Sequence, residues 1–200
     1  MNKQRFAILF IFILIIIDQI TKIYVKLNMY LGEHNYYLGD WASISFVENE
    51  GMAFGLSFGG GIGKLLLTFF RIIVVIFIAY YIRKQIQTKH ANYLFVVCMS
   101  LIFAGAVGNI IDSVFYGKIF SESTPSEIAT LFPAESYGTW FKGRVVDMFY
   151  FPLYNDNLPE WIPFVGGRYT EFFPYIFNVA DAYITVGVAI LLLFQNKILK

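Results

Sequence analysis

Ionisable residues inside or beside apolar stretches are the first feature of this sequence that indicates chemistry, because a charge there is costly. Two aspartates that meet at short range cannot both ionise cheaply, so one of them keeps a proton. The charged member can take a proton from water while the neutral member protonates a carbonyl oxygen, which is the chemistry of aspartic peptidases. The candidate residues are Asp18, Lys22, Arg71, Asp112, Asp147 and Asp181.

The same short pattern surrounds two of these acids. Asn109 precedes Asp112 by three residues and Asn178 precedes Asp181 by three, so each amide shares a helix face with its acid. An amide in this position can hydrogen-bond the carboxylate and fix its orientation. Polar contact between membrane helices is the alternative explanation; the first pattern fits both explanations equally, and for the second we favour catalysis. The repeat suggests that Asp112 pairs with Asp181, and Asp147 is an equally possible partner of Asp181.

Two basic residues and one cysteine complete the set of unusual side chains. Asp18 and Lys22 are four residues apart with the acid first, so we expect them to neutralise each other. We expect Arg71 to contact a lipid phosphate or an acid, or to extend towards the interface. The single cysteine, Cys98, excludes a disulfide scaffold. The sequence has no zinc, serine-hydrolase or nucleotide-binding motif, so we expect no metal or organic cofactor.

The composition excludes a water-soluble domain. Hydrophobic residues make up 58% of the 200 residues and charged residues 14%, whereas soluble chains carry roughly 25% charged residues. A soluble fold of this length could not bury so much apolar surface. The net charge of +1 gives no field that would attract nucleic acid. The sequence therefore predicts an integral membrane protein that binds no nucleic acid.

Apolar stretches long enough to cross a bilayer, which takes about 20 residues, occur four times. They predict an all-α membrane protein with four transmembrane helices, at about 6–25, 65–82, 91–116 and 174–194. Basic residues set the direction, since 7 of the 15 Lys and Arg residues and none of the 14 acids lie in 1–5, 83–90 and 195–200. The positive-inside rule places these segments, and therefore both termini, in the cytoplasm.

The two long loops, about 26–63 and 117–173, then face outwards. Residues 41–47 partly alternate apolar and polar and predict a strand, so we expect a small extracytoplasmic β-containing region between helices one and two. The second loop is rich in proline and aromatic residues, and we expect it to lie on the lipid headgroups. We expect the whole chain, 1–200, to form a single membrane-embedded domain.

The depth of the acids separates an enzyme from a carrier. At about 1.5 Å per residue, Asp112 lies roughly 32 Å along the third helix and Asp181 roughly 10 Å below the outer end of the fourth. Asp18 also falls in the outer half of its helix, so the acids gather near the outer interface. The alternative, a small proton-coupled carrier or membrane assembly subunit, would place its acids as relays near the midplane, on internally repeated helices. The sequence shows neither feature.

Short motifs in five places add a family resemblance. The blocks D-Q-I-T-K, N-E-G-M-A-F-G, G-A-V-G-N-I-I-D, G-R-V-V-D and F-N-V-A-D occupy 18–22, 49–55, 105–112, 143–147 and 177–181. Each block is weak alone, but their order on four predicted spans is specific. Together they resemble the motifs of lipoprotein signal peptidases, the signal peptidase II family, and the resemblance covers most of the chain.

The resemblance implies a bacterial membrane aspartic endopeptidase that removes signal peptides from diacylglyceryl-modified prolipoproteins and cuts before the lipidated cysteine. By motif, the catalytic aspartates are Asp147 and Asp181. The matching substrate-binding or supporting residues are Asp18, Lys22, Asn49, Gly51, Asn109, Asp112 and Asn178. The resemblance further implies a protein of the bacterial cytoplasmic (inner) membrane, with its active site at the outer face and lipids and the lipidated proprotein as its partners. We expect the protein to be monomeric.

Three departures from the family pattern stand out. Ser113 takes the place of the usual arginine after Asp112, and Met148 replaces the usual phenylalanine after Asp147. Both outer connections around Asp147 are also longer than is typical of the family. We expect the extra sequence, including 121–140 and 154–168, to lie on the outer leaflet and partly to roof the cleft.

Overall fold

The structure of the chain is a computed structural model that describes residues 2–37, 41–50, 60–88 and 91–198. Its helices are α1 (Lys3–Asn28), α2 (Gly60–Gln87), α3 (Tyr93–Ile111), α4 (Gly117–Ile119), α5 (Val179–Leu193) and α6 (Gln195–Ile198). One π-helical turn, Asp112–Tyr116, joins α3 to α4. The strands are β1 (His34–Tyr36), β2 (Ser43–Asn49), β3 (Val145–Tyr150), β4 (Tyr154–Asn157), β5 (Tyr169–Phe172) and β6 (Ile176–Phe177).

Three helices in the described part of the chain are long and apolar enough to cross a membrane: α1, α2, and α3 with its continuation to Ile119. Each falls on one of the first three predicted spans. Their outward faces carry apolar side chains such as Ile8 on α1 and Phe70 on α2, which are exposed and suit a lipid environment. All backbone hydrogen bonds of such a helix are internal, which is why apolar sequence becomes helix in a bilayer.

The fourth predicted span begins later than the sequence suggests. Helix α5 has 15 residues, about 23 Å at 1.5 Å per residue, against a hydrocarbon core of about 30 Å. Residues 174–178 are not helical, because Ile176 and Phe177 pair with β3 and Asn178 caps α5. The prediction of a helix from 174 is therefore wrong. The coarser description, three long apolar helices with a small β region, is the one that the structure supports.

Both long loops contribute to one antiparallel sheet, in the order β1-β2-β3-β6. Strand β2 pairs with β3 in a register that sets Asn49 opposite Val145 and Val47 opposite Asp147. The prediction that the β region lies between helices one and two is therefore incomplete, because β3 and β6 come from the second loop. Pairing between distant segments leaves no local sequence signal. Strands β4 and β5 form a separate hairpin.

The segment 121–140 packs against the C-terminal end of α1 and against β2. Ser123 Oγ accepts a hydrogen bond from Lys26 Nζ at 2.8 Å, and the carbonyl of Thr124 accepts one from the Leu31 amide at 3.1 Å. Lys26 also pairs with Glu48 and is fully buried. This segment therefore covers a buried ion pair, and Ser123 gives the buried Lys26 ammonium a further hydrogen-bond partner.

Helices α3 and α5 approach each other closely at glycines. A Cβ atom on Gly105 would overlap the backbone carbonyl of Ala180 and lie 2.8 Å from Ile184 Cγ1. On α5, a Cβ on Gly187 would lie 2.9 Å from the carbonyl of Cys98. Small residues at a helix interface let backbones come together, which stabilises membrane bundles by dispersion contacts. The position of α5, and of everything its first turn carries, depends on this contact.

We expect Gly105→Ala to lower the free energy of unfolding by about 1–3 kcal/mol, because the methyl group meets backbone that cannot rotate away. The thermal unfolding midpoint in detergent measures the change. Gly138→Ala is the matched control, since a Cβ there meets its nearest atom at 3.5 Å, an ordinary contact. Equal midpoints for the two variants would contradict the close approach of α3 and α5.

Candidate active site

Asp147 and Asp181 reach the site from different elements. Asp147 lies in the middle of β3 and is 3% exposed, whereas Asp181 is the third residue of α5 and is half-buried. Asn178 caps α5: its Oδ1 accepts a hydrogen bond from the Asp181 amide at 2.9 Å, and the Asp181 carboxylate accepts one from the Asn178 amide at 3.5 Å. This capping box starts the helix and fixes Asp181. Asp181 therefore lies at the helix end, and the predicted depth of roughly 10 Å within the helix is wrong.

Asparagine amides connect the two acids. Asn178 Nδ2 donates to Asp147 Oδ1 at 2.6 Å and to Asn109 Oδ1 at 3.2 Å. Asn109 Nδ2 in turn donates to Asp181 Oδ1 at 2.9 Å. A side-chain amide has two N–H donors, so one asparagine can serve two acceptors at once. Asn49, the last residue of β2, also donates to Asp147. Both carboxylates are therefore oriented by neutral donors.

Lys22 lies between a second pair of acids, Asp18 and Asp112. Its Nζ lies 3.0 Å from Asp18 Oδ2, 2.8 Å from Asp112 Oδ2 and 2.8 Å from Asn109 Oδ1. The predicted Asp18–Lys22 pair is confirmed, and both side chains are fully buried. The pair with Asp112 was not predicted, because the two residues are far apart in sequence. Lys22 also fixes the oxygen of Asn109, which turns the Asn109 amide towards Asp181.

Asp18 and Asp112, the rear acids, each bind the backbone next to Asp181 or Asp147, the front acids. Asp18 Oδ1 accepts a hydrogen bond from the amide of Ala180 at 2.9 Å, and Asp112 Oδ2 accepts one from the amide of Val146 at 3.4 Å. Ala180 immediately precedes Asp181, and Val146 immediately precedes Asp147. The cluster around Lys22 therefore sets the backbone position of both front acids.

Gln19 also belongs to this cluster, although neither its type nor its spacing predicted a role there. Its Nε2 donates to Asp18 Oδ2 and to Asp112 Oδ1, both at 3.0 Å, and its Oε1 accepts a hydrogen bond from Tyr116 at 3.1 Å. The available signal was its place in the D-Q-I-T-K block. Its role depends on contacts with α3 and the π-helical turn, which spacing along α1 does not reveal.

The π-helical turn explains why serine fits at position 113. Ser113 is buried, its hydroxyl donates to the carbonyl of Asn109 at 2.9 Å, and its own carbonyl accepts from the Gly143 amide at 2.9 Å. A Cβ on Gly143 would overlap the carbonyl of Asp112. The chain before β3 thus lies directly on this turn, and such turns often occur at functional sites.

A cavity of about 690 Å³ opens at the front acids. Its described polar lining includes both front carboxylates and one cation, Arg71, and its walls are largely apolar. Among the described residues, neither 121–140 nor 154–168 contributes to this lining, so the expectation that these segments roof the cleft is not supported. The lining residues are Asn49, Arg71, Asn109, Val145, Asp147, Phe173, Tyr175, Ile176, Phe177, Asp181, Ala182, Thr185 and Val186.

The electrostatics of the cavity favour a proton on the Asp147 carboxyl group. Burial, followed by the negative charge of Asp181, raises the pKa of Asp147 to about 7, although the hydrogen bond from Asn178 acts in the opposite direction. Asp147 is therefore mostly protonated between about pH 4 and about pH 7, where an isolated aspartate is charged. Asp18 and Asp112 are not among the described lining residues and face Lys22 instead.

Gly51 lies outside the described residues, so its predicted supporting role stays a prediction. Within the described ranges, no group of three or more His, Cys, Asp or Glu side chains is arranged to hold a metal ion.

Solved structures with a similar fold establish the class. Two structures of bacterial membrane enzymes each align with a TM-score of 0.59. One is 23% identical and covers 96% of this chain and 87% of its own; the other is 25% identical and covers 94% and 91%. The described fold is therefore that of a membrane enzyme, with three long apolar helices and a small β region.

Sequence comparisons narrow the class to one family. A family model described as signal peptidase (SPase) II matches residues 10–196, so the chain belongs to the signal peptidase II family. The lipoprotein signal peptidase of Porphyromonas gingivalis is 48% identical over 91% of this chain and 79% of its own length. That of Amoebophilus asiaticus is 38% identical over 90% and 72%. The carrier alternative finds no support in these comparisons.

Proposed function

We propose that this protein is an aspartic endopeptidase that removes signal peptides from diacylglyceryl-modified prolipoproteins, and that Asp147 and Asp181 are its catalytic pair. Membership of the signal peptidase II family supports the activity. One observation carries the residue assignment: both carboxylates line a single cavity and are linked through Asn178 and Asn109. Asp112, the alternative partner suggested by the repeated pattern, faces Lys22 and Gln19 instead.

The two acids take complementary roles in this mechanism. Asp181, the more exposed of the two, is the general base that takes a proton from the attacking water. Asp147 holds the retained proton and donates it to the carbonyl oxygen of the scissile peptide as the tetrahedral intermediate forms. Asp181 then passes its proton to the departing amide nitrogen. The carbon–nitrogen bond breaks, and Asp147 regains a proton as the new carboxyl group forms.

The position of the substrate in the membrane contributes to catalysis, because it holds the scissile bond beside the two catalytic acids, Asp147 and Asp181 (the dyad). The lipid tails of the substrate remain in the bilayer, and the peptide enters the cavity from the interface, which holds the scissile bond next to the dyad. In this arrangement α5 is the fourth span and both termini are cytoplasmic, as the basic segments 1–5, 83–90 and 195–200 indicate. The enzyme works as a monomer in the bacterial inner membrane, with its cavity at the outer face. Asn49 helps to hold the peptide beside the dyad.

Cleavage of a purified lipid-modified proprotein tests this function directly. The full-length protein in detergent or nanodiscs should release the signal peptide and leave the lipidated cysteine at the new N-terminus, as mass spectrometry of both products would show. The same proprotein without its diacylglyceryl group is the matched control and should be cut far more slowly. Equal cleavage of both substrates would contradict the proposed substrate class.

The dyad also predicts a pH dependence. Asp147 loses its proton as pH rises through about 7 and can then no longer donate it to the carbonyl oxygen. We therefore expect kcat/KM to fall above that pH. Above that point the fall should approach about tenfold per pH unit. Steady-state rates between about pH 6 and about pH 9 measure the profile. Unfolding midpoints over the same range exclude denaturation, and a flat profile would contradict the proton on Asp147.

A further inference from the structure

The hairpin formed by β4 and β5 ends in a tip that no part of the proposed mechanism uses. The tip, residues 161–167, reads Trp-Ile-Pro-Phe-Val-Gly-Gly and contains no charged residue. Trp161 is 80% exposed and Phe164 is 97% exposed. Charged residues, Glu160 and Arg168, flank the tip directly on both sides. An exposed apolar group with charges at its boundary has the composition of a segment that enters a membrane interface.

The tip is a defined turn. The Gly166 amide donates to the carbonyl of Ile162 at 3.0 Å, and the Gly167 amide donates to the carbonyl of Leu158 at 2.8 Å. Phe164 has a φ of 69°, a left-handed conformation that a phenylalanine keeps only when its surroundings fix it. Both aromatic side chains are exposed on this turn, although burying them would be favourable in water.

The hairpin is continuous with the wall of the cavity. Strand β5 ends at Phe172, and Phe173, Tyr175, Ile176 and Phe177 then line the cavity before α5 begins at Val179. Tyr150, which pairs in the sheet with the lining residue Ile176, also donates a hydrogen bond to Glu171 in β5. The base of the hairpin therefore lies beside the cavity.

We propose that this tip, with Trp161 and Phe164 as anchors, inserts into the outer leaflet beside the cavity and holds the cavity mouth against the lipid. Its partner is the bilayer itself. The membrane-spanning chain brings the hairpin to the interface, and the uncharged length between Glu160 and Arg168 limits insertion to the boundary between headgroups and acyl chains. The consequence for catalysis rests on the proposed function: a lipidated substrate would reach the cavity without leaving the bilayer.

Depth-dependent fluorescence tests the insertion without any activity measurement. The chain contains three tryptophans, so replacing Trp41 and Trp140 by phenylalanine leaves Trp161 as the single probe. In phosphatidylcholine nanodiscs, lipids brominated on their acyl chains should quench Trp161 emission by about twofold or more. Aqueous acrylamide should quench it weakly. Strong acrylamide quenching with no bromine quenching would overturn the proposal. If Trp161 is protected from acrylamide only in preparations that contain a second, co-purifying protein, the tip binds that protein instead of lipid, and the proposal is also overturned.

Enzyme kinetics provide a second test of the proposal. The double variant Trp161→Ser/Phe164→Ser should raise KM for a lipidated proprotein in nanodiscs several-fold while leaving kcat, and turnover in detergent, unchanged. Phe132→Ser is the matched control, because Phe132 is 75% exposed on the segment 121–140, which does not line the cavity. An equal effect of Phe132→Ser, or an unchanged KM in the double variant, would overturn the role at the cavity mouth. Loss of turnover by the wild-type protein would instead count against the proposed function.

Discussion

Asp147→Asn and Asp181→Asn should each reduce turnover of a lipidated proprotein by about 10⁴-fold, the upper end of what general acid–base catalysis contributes. An amide cannot take the proton from water and cannot deliver one to the carbonyl oxygen. Single-turnover cleavage of purified variants in nanodiscs measures the loss. Both variants should remain folded, because the asparagine side chain occupies the same volume and can still accept a hydrogen bond.

Asp112→Asn is the matched control for these two variants, because it makes the same chemical change in a buried acid of the same network. Its side chain faces Lys22 and Gln19 and is not among the described cavity-lining residues. We expect measurable turnover to remain in this variant. Complete loss of activity in Asp112→Asn, together with activity in Asp147→Asn, would reverse the assignment of the dyad.

The second large effect is expected at Lys22. Lys22→Met should lower the free energy of unfolding by about 3–5 kcal/mol, the usual result of removing one partner from a buried ion pair. The substitution leaves Asp18 and Asp112 buried beside each other with no cation between them. Both acids also hold backbone next to the dyad, so turnover should fall with stability. Thermal unfolding and cleavage assays on the same preparation measure both.

Lys64→Met separates the effect of a buried cluster from that of any lost ion pair. Lys64 pairs with Glu50, whose side chain is 54% exposed and stays hydrated when its partner is removed. We therefore expect a change of no more than about 1 kcal/mol. If Lys22→Met is no more damaging than Lys64→Met, the cluster does not organise the site as we describe.

The sequence was sufficient for those parts of the fold and site that depend on local pattern. Apolar length located the three long helices, and spacing by four residues predicted the Asp18–Lys22 pair. The Asn178–Asp181 pattern was also informative, although its physical basis is a capping box at the start of α5.

Contacts between distant segments were beyond such reasoning. Spacing along one helix could not pair Lys22 with Asp112, or join Asp18 to the amide of Ala180. Hydropathy counted residues 174–178 as part of a span, because Ile176 and Phe177 are apolar. They instead complete the sheet, a choice decided by the pairing of β6 with β3.

Asn178 performs two tasks with one side chain, and this matters for inhibitor design. Its oxygen caps α5, while its amide orients Asp147 and contacts Asn109. Replacing an N-cap asparagine by alanine costs about 1 kcal/mol of stability before any effect on Asp147 and Asp181. A compound that hydrogen-bonds Asn178 would therefore engage a residue at which resistance mutations are constrained. Alanine or another residue that cannot cap loosens the start of the helix that carries Asp181, and serine or aspartate, which can cap, lacks the amide that orients Asp147.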